Sequence, residues 1–269
     1  MNFDPIIQDW LSQLSPISLD EMSGIKLMNR TDTKFVTNKH KLVGLLELAQ
    51  GKYFAQQIDE ARIANYRTTY WDTQTYRFFL EHHNGRAPRQ KIRVRTYMDS
   101  DLTFLEVKTK NNPGRTKKKR IVVPSQERQD VIDAGGTPFI QGLTGETFND
   151  IIPTVQNQFQ RITLVNYGKT ERLTIDFNVG FHNFETERDA ETGELVIIEL
   201  KRDGNVFSPV LDILRQLRIK PLGFSKYCIG SVLTNAQLKN NLFKKKLIRI
   251  SKYSGTDFHI PCDANPSTF

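Results

Sequence analysis

Lysine and arginine recur at every second position in several stretches of the chain, a spacing that places side chains on one face of a β-strand. In residues 91–97, KIRVRTY, the cations Lys91, Arg93 and Arg95 alternate with other residues, two of them apolar. Four further stretches carry charged positions at the same spacing, namely Arg30, Asp32 and Lys34; Glu106, Lys108 and Lys110; Arg172 and Asp176; and Glu199 and Lys201. Such side chains can bind phosphate groups. One guanidinium can donate two parallel hydrogen bonds to phosphate oxygens, and an ammonium group acts as a point charge.

A sheet with one charged face in water is the simpler explanation of any one of these strands. Taken together, neighbouring strands that carry like charges repel one another unless an anion lies between them. A closed antiparallel barrel, lined by these cations and covered outside by helices, removes the conflict because a bound polyanion neutralises its interior. The net charge of +8 agrees with a polyanionic partner. On this interpretation the cations expected to bind phosphate include Arg30, Lys91 and Lys201.

The elements that position these side chains are predicted from apolar periodicity and turn residues. Strands are predicted at 30–37, 61–73, 77–83, 91–97, 102–110, 116–123, 159–167, 171–179 and 195–201. The Asn84-Gly85 pair predicts a hairpin between the strands at 77–83 and 91–97. Helices are predicted within 1–20, at 38–51 with Asn38 as N-cap, at 208–217 with Ser208 as N-cap, and at 224–238. The chain is therefore predicted to be α+β, with an eight-stranded closed barrel.

The domain organisation is predicted to be simple. The 269 residues show no internal repeat and no clear linker, so a single domain is predicted over 1–269. Its core covers about 25–235, and the N-terminal helix within 1–20 and a basic tail at 239–269 are additions.

Several classes of protein are excluded by what the sequence lacks. The two cysteines, Cys228 and Cys262, are too few for a disulfide framework or a four-cysteine zinc site. The absence of a GxxxxGK[ST] loop argues against a P-loop NTPase. Neither a signal peptide nor a run of roughly 18–20 apolar residues for a membrane span is recognised. A cytoplasmic location is predicted, with a membrane-protein partner left open. Nucleic acid is not an expected partner, because the strands lack an aromatic stacking array.

A series of short motifs, in order along the core, carries a resemblance to a known family. The motifs are Arg30-Thr-Asp-Thr-Lys34-Phe35, Tyr70-Trp71-Asp72-Thr73, Lys91-Ile-Arg93-Val-Arg95-x-Tyr97, Leu105-Glu106-Val-Lys108, Lys117-Lys-Lys-Arg120, Phe159-x-Arg161, Arg172-Leu-Thr-Ile-Asp176, Ile198-Glu199-Leu-Lys201 and Phe224-Ser225-Lys226-Tyr227. In their order and spacing they resemble the VTC domain, the polyphosphate polymerase branch of the triphosphate tunnel, or CYTH-like, superfamily.

The resemblance implies a tunnel in which basic residues hold a nucleoside triphosphate or a growing polyphosphate. Carried over motif by motif, the residues that contact phosphate would be Lys34, Arg93, Arg95, Lys108, Arg161, Arg172 and Lys226. Glu199 would bind a divalent metal, Mn²⁺ or Mg²⁺. Of Lys118 and Lys119, the latter is favoured as a further phosphate ligand. Asp176 remains either a second carboxylate for the metal or the ion-pair partner of an arginine.

Two positions depart from the family pattern. The wider superfamily opens with Glu-x-Glu-x-Lys, whereas this chain has Arg30 and Asp32 in the carboxylate positions. A guanidinium in place of a carboxylate weakens metal binding and strengthens phosphate binding, which favours the polymerase branch over thiamine triphosphatases and class IV adenylate cyclases. Phe159 stands where the family often has tyrosine, so that a hydroxyl is lost.

The predicted activity is transfer of the terminal phosphoryl group of ATP to a polyphosphate chain. Arg93, Arg95 and Lys108, with Arg161 and Arg172, are expected to spread the charge of the reacting phosphates. The acceptor oxygen is already anionic, so no strong general base is required. Two alternatives stay open: a hydrolase of tripolyphosphate or nucleoside triphosphates, and a non-catalytic sensor that binds polyphosphate or a nucleotide.

Overall fold

The structure, a computed structural model, describes residues 2–23, 25, 30–111, 116–204 and 206–258. Residues 112–115, between two of the predicted strands, the side chain of Arg30 and the tail beyond residue 258 lie outside this description. The strands are β1 Ser15–Ile17, β2 Arg30–Asn38, β3 Tyr53–Gln56, β4 Ala64–Thr73, β5 Arg89–Tyr97, β6 Leu102–Lys110, β7 Thr116–Val123, β8 Ile151–Asn166, β9 Glu171–Asn183, β10 Asp189–Glu191 and β11 Leu195–Asp203. The helices are α1 Asp4–Ser12, α2 Leu19–Ser23, α3 Lys39–Ala49, α4 Arg77–His83, α5 Arg128–Asp133, α6 Gly136–Thr144, α7 Pro209–Gln216, α8 Lys226–Thr234 and α9 Lys244–Ser254. The predicted α+β class is confirmed.

One large sheet contains all the strands. Its main path runs β2-β11-β9-β8-β4-β5-β6-β7 through antiparallel neighbours, and the short strands β1, β3 and β10 pair at its margins. The path has the predicted eight strands. However, its end strands β2 and β7 do not pair with each other among the described residues, so the predicted closure of the barrel is not confirmed.

The sheet is nevertheless strongly curved. Lys34 of β2 donates a hydrogen bond to the carbonyl of Phe224, and Lys91 of β5 donates one to the hydroxyl of the next residue, Ser225. In a flat sheet β2 and β5 would lie five strand spacings apart, about 24 Å. Because both reach adjacent residues of one segment, the face that carries them is concave.

Apolar side chains fill the convex side and one end of the concave side. On the convex side, α1, α3 and α7 pack against β8, β9 and β11, with Leu42 and Leu45 of α3 fully buried. On the concave side, Tyr227 of α8 stacks on Tyr70 of β4, with ring centroids 5.1 Å apart. This helix therefore occupies one end of the concavity and leaves the polar remainder to the charged side chains.

The segment 77–83 is a helix, and its prediction as a strand was wrong. The carboxylate of Asp72 accepts hydrogen bonds from the amides of Phe78 and Phe79 at 2.9 and 2.8 Å, which satisfies donors at the start of the helix. Gly85 follows the helix with φ of +69°, the left-handed conformation that commonly ends one. Asn84-Gly85 thus ends a helix and does not form a hairpin.

Other predicted boundaries were partly right. Asn38 caps α3 as expected, because its side chain accepts a hydrogen bond from the amide of Lys41 at 3.1 Å. Ser208 stands at the N-cap of α7, but its side chain makes no capping bond. The strand predicted from residue 159 begins at Ile151, and the segment between β7 and this strand contains α5 and α6. Within the described ranges, no helix is both long and apolar enough to cross a membrane.

Candidate functional site

The strand register gathers the alternating charges on the concave face. Lys34 lies opposite Glu199, Arg93 opposite Glu106, and Arg161 opposite Asp176. We call this surface the concave cationic face, and its charged members from the strands include Asp32, Lys34, Lys91, Arg93, Arg95, Glu106, Lys108, Lys118, Arg161, Arg172, Asp176, Glu199 and Lys201. The predicted inward orientation of the charges is therefore correct for all five stretches in their described part.

The carboxylate of Glu106 bridges two cations. It accepts from Nε of Arg93 at 2.6 Å and from Nζ of Lys118 at 2.8 Å, and it is completely buried. Burial alone would raise its pKa, but the charges of Arg93 and Arg95 hold that pKa well below its usual range.

Asp176 is also shared between two cations, which identifies it as an ion-pair partner. Nε and Nη2 of Arg161 lie 2.6 and 2.8 Å from its two oxygens, and Lys226 of α8 also contacts it. Burial opposes ionisation, yet Arg161 and Lys226 hold the pKa of Asp176 well below normal. The ion pairs fix both cations in place, so that they are preorganised for a ligand.

Glu199 of β11 is a third carboxylate that is shared between two cations. Its oxygens lie 3.1 Å from Nζ of Lys201 and 3.7 Å from Nζ of Lys34. Burial would raise its pKa, but these two ammonium groups hold it well below its ordinary value. Three carboxylates therefore each serve two cations, and the face keeps an excess of positive charge.

Lys91, Arg95 and Lys108 of this face form no ion pair with a carboxylate among the described residues. Arg95 donates from Nε to the hydroxyl of Thr68 at 3.0 Å, and its guanidinium lies 5.5 and 5.7 Å from the centroids of the stacked rings of Tyr66 and Phe159. Burial, together with the charges of Arg93 and Arg161, lowers its pKa to about 10.

Lys108 is another of these cations without a counter-charge. It forms neither a hydrogen bond nor an ion pair within the described structure. The charge of Arg93, then burial, then the charge of Arg95 lower its pKa well below the ordinary value. Uncompensated cations in a half-buried site favour an anion, because an anion would restore the lost solvation.

The start of α8 brings three further predicted residues together. Lys34, Lys91 and Lys226 contact or belong to the segment 224–226, and Ser225 caps the helix by accepting from the amide of Cys228 at 3.3 Å. Burial lowers the pKa of Lys91 and that of Lys226 to about 8. A helix N-terminus surrounded by ammonium groups is electrostatically suited to an anion.

Phe159 lies against three cations of the site, although it lacks the hydroxyl of the tyrosine that the family often has at this position. Its ring lies 3.9 Å from Nζ of Lys226, 5.2 Å from the guanidinium of Arg161 and 5.7 Å from that of Arg95. The aromatic face therefore supports three cations at once.

Three further residues were predicted to bind phosphate, namely Lys119, Arg172 and Arg30. Lys119 lies opposite Val107, on the other face of β7, whereas Lys118 bonds to Glu106 on the concave face. The register thus favours Lys118 over Lys119. Arg172 lies at one end of the face, where it donates to the carbonyl of Met22 at 3.2 Å. The side chain of Arg30 lies outside the described structure.

The sequence did not reveal the hydrogen bonds of Asp72 that hold α8 in place. The hydroxyl of Tyr227 donates to the buried carboxylate of Asp72, which also binds three backbone amides at 2.7–2.9 Å, those of Thr73, Phe78 and Phe79. Asp72 thus links β4, α4 and α8, and thereby positions Lys226. The sequence signal was a carboxylate, Asp72, directly after two aromatic residues, Tyr70 and Trp71.

The donors for a divalent metal are few. The described residues contain no group of three or more His, Cys, Asp and Glu side chains that could hold an ion. Glu199 is a single carboxylate, and Asp32 lies diagonally from it across β2 and β11. One or two carboxylates suffice for Mg²⁺ only when phosphates complete its shell. The residues therefore fit a metal that is bound together with a phosphate ligand.

The chain is an α+β protein with a curved, mainly antiparallel sheet whose concave face is cationic. The family model described as VTC domain matches residues 29–235, and the chain belongs to the VTC domain family. This membership confirms the family that the sequence motifs resemble. No curated protein matches the sequence.

Several solved structures are similar to the chain at low identity. A candidate adenylate cyclase from Bacillus halodurans is 13% identical, with a TM-score of 0.48 over 74% of this chain and 96% of the other. A candidate adenylyl cyclase from Hippeastrum, reported to have a dominant triphosphatase activity, is 12% identical, with a TM-score of 0.48 over 75% and 94%. An RNA triphosphatase of S. pombe is 7% identical, with a TM-score of 0.28 over 94% and 93%. With scores and identities this low, these likenesses carry no argument about the activity of the chain.

Proposed function

We propose that the chain is a polyphosphate polymerase, which transfers the terminal phosphoryl group of ATP to a polyphosphate chain held on the concave cationic face. The observation that carries this proposal is that two cations beside Arg93, namely Arg95 and Lys108, lack a carboxylate partner among the described residues. A chain of phosphates provides several negative charges for these several cations, which a single small anion does not. Membership of the VTC domain family supports the same ligand class.

In the proposed reaction an oxygen of the acceptor phosphate attacks the γ-phosphorus of ATP. The bond between this phosphorus and the β–γ bridging oxygen breaks, ADP leaves, and a new phosphoanhydride bond forms. Arg93 and Arg161 are held by Glu106 and Asp176, so they meet the phosphate oxygens in fixed orientations. Arg95 and Lys108 supply the charge that balances the transferred group.

The acceptor needs no general base, because its attacking oxygen is already ionised. This agrees with the charged members of the face, which are cations and ion-paired carboxylates. Glu199 is the proposed ligand of Mn²⁺ or Mg²⁺, with the phosphates as the remaining ligands. Such an ion would offset charge on two neighbouring phosphates when bound. Metal preference and a cytoplasmic location stay predictions.

The test is to incubate the purified protein with ATP and Mn²⁺ and to resolve the products on a polyphosphate gel. We expect long chains from the parent protein and none from Arg95→Ala or Glu199→Gln. Lys119→Gln, which removes a charge from the opposite face of β7, serves as the matched control and should leave chain synthesis unchanged. Release of free phosphate without chains would replace the polymerase by a hydrolase. Tight binding of polyphosphate without either product would replace it by a sensor.

A further inference from the structure

A second group of basic side chains lies beyond the concave cationic face, where α4, β5 and α9 meet. We call it the outer basic cluster, and it consists of His82, Arg89 and Lys246. It adjoins Lys91 and Lys34, which also belong to the concave cationic face. None of its three members was among the site residues predicted from the sequence.

Packing fixes the position of this cluster. The ring of Phe243, just before α9, lies 5.3 Å from that of His83 and 6.2 Å from that of Phe79, both on α4. The amide of Leu242 also donates to Nε2 of His83 at 3.4 Å. The start of α9 is therefore held against α4, and this places Lys246 beside the end of α4 that carries His82.

The strand β5 connects the cluster to the concave cationic face. Arg89 precedes Lys91 by two residues, so both side chains point to the same face, about 7 Å apart along the strand. Lys91 in turn lies opposite Lys108 across β5 and β6. Cationic side chains thus continue without interruption from Lys108 through Lys91 to Arg89.

The cluster lacks counter-charges. Within the described ranges, none of His82, Arg89, Lys91 and Lys246 forms an ion pair with a carboxylate. Nδ1 of His82 is buried and has no hydrogen-bond partner. Burial, then the charges of Lys91, Arg89, Lys246 and Lys34 lower the pKa of His82, so its ring is neutral and the lysines and Arg89 carry the positive charge. An unneutralised group of this kind favours an anionic ligand.

We propose that the outer basic cluster binds the part of a phosphate chain that extends beyond the segment held on the concave cationic face. This inference rests on the proposed function, because it takes the same ligand and assigns its continuation. We expect a triphosphate held at Arg93, Arg95 and Lys108 to leave Lys246 unoccupied, whereas a long polyphosphate can continue from Lys108 past Lys91 to Arg89 and Lys246. The cluster therefore gives the protein its preference for long chains over short ones.

The experiment compares the binding of two ligands to a double variant in which two positive charges are removed. In Arg89→Gln/Lys246→Gln, we expect the affinity for metal-free tripolyphosphate to stay within about twofold of the parent. The affinity for a long polyphosphate should fall roughly tenfold, and its salt dependence should become shallower, because fewer counterions are released. Isothermal titration calorimetry at two salt concentrations measures both. The matched control, Lys52→Gln/Arg215→Gln, removes the same two charges from exposed positions outside the cluster.

The outcomes separate this inference from the proposed function. If the double variant binds long polyphosphate as tightly as the control, the outer basic cluster takes no part in chain binding. A fall in tripolyphosphate affinity of the same size would also overturn the proposal, since the residues would then belong to the first site. If the parent protein binds neither ligand, the proposed function itself fails. Retained tripolyphosphate binding also shows that the double variant is folded. The single substitution Lys246→Gln offers a milder version of the same test.

Discussion

At the scale of single residues, the concave cationic face contains two kinds of cation. Arg93, Arg161 and Lys226 are bound to carboxylates and keep their positions without a ligand. Arg95 and Lys108 carry charge that no carboxylate neutralises. If the proposed function holds, the first kind should supply geometry and the second affinity, so substitutions should separate the two roles.

Lys108→Met tests this separation. We expect the protein without ligand to become more stable by about 1 kcal/mol, because a half-buried and uncompensated cation is removed. That corresponds to a rise of roughly 2–4 °C in Tm for a chain of this size. The affinity for ATP should fall at least tenfold. Differential scanning calorimetry with and without ATP measures both effects.

The control for that prediction is Lys119→Met, which changes the same residue type on the opposite face of β7. Its Tm and its ATP affinity should both match the parent. A Lys108→Met protein that lost stability together with affinity would show that Lys108 has a structural partner and that its charge is not free for a ligand.

At the scale of elements, α8 occupies the end of the concave face and is anchored by the bond from Tyr227 to Asp72. In Tyr227→Phe, the carboxylate of Asp72 keeps its three amide donors but loses the hydroxyl, which should cost about 1–2 kcal/mol of stability. We also expect a several-fold loss of ATP affinity, because Lys226 is the first residue of α8. Chemical denaturation and calorimetric titration give the two quantities.

A double substitution shows whether the affinity effect passes through Lys226. In the Lys226→Met background, adding Tyr227→Phe should cause no further loss of affinity, while the losses of stability should remain separate. Tyr53→Phe is the matched control, since Tyr53 also donates to a buried carboxylate, that of Glu171, in the core cluster on the convex side. It should lose stability and keep its affinity. Additive losses of affinity in the double variant would contradict the anchoring role.

The same scale shows how far the sequence predicts the structure. Alternation identified the concave faces of β5, β6, β9 and β11, because the period of a strand is strict and each register shift reverses every side chain. The segment 77–83 was misread because its capping carboxylate, Asp72, lies before the helix and is recognised only through contacts. Lys119 was preferred to Lys118 because a run of lysines carries no alternation. Closure of the barrel could not be predicted either, since it depends on whether β2 and β7 meet across the whole sheet.

At the scale of the whole molecule, the excess of cations makes ligand binding depend on pH. Lys91 and Lys226 have pKa values of about 8, lowered chiefly by burial, and that of Lys108 is also lowered. A phosphate chain prefers the protonated ammonium groups, so binding takes up protons. The affinity for metal-free ATP should therefore fall as the pH rises from 7 to 9. The γ-phosphate of ATP is almost fully ionised over this range, with a second pKa near 6 for phosphate monoesters, and contributes little to the trend.

The stability of the protein without ligand should change in the opposite direction. Between the folded pKa of about 8 and the unfolded value near 10.4, the unfolded chain holds more protons at these lysines than the folded chain does. Stability from these groups consequently increases with pH in that window. Thermal melts at pH 7, 8 and 9, with and without ATP, should show a rising contribution to Tm from these lysines and a shrinking increment from the ligand. Lys91→Arg keeps its charge throughout this range and should flatten the decline of the increment. An ATP increment that stayed constant from pH 7 to 9 in the parent protein would mean that the lysines near α8 are fully protonated, and that burial does not tune their affinity for phosphate.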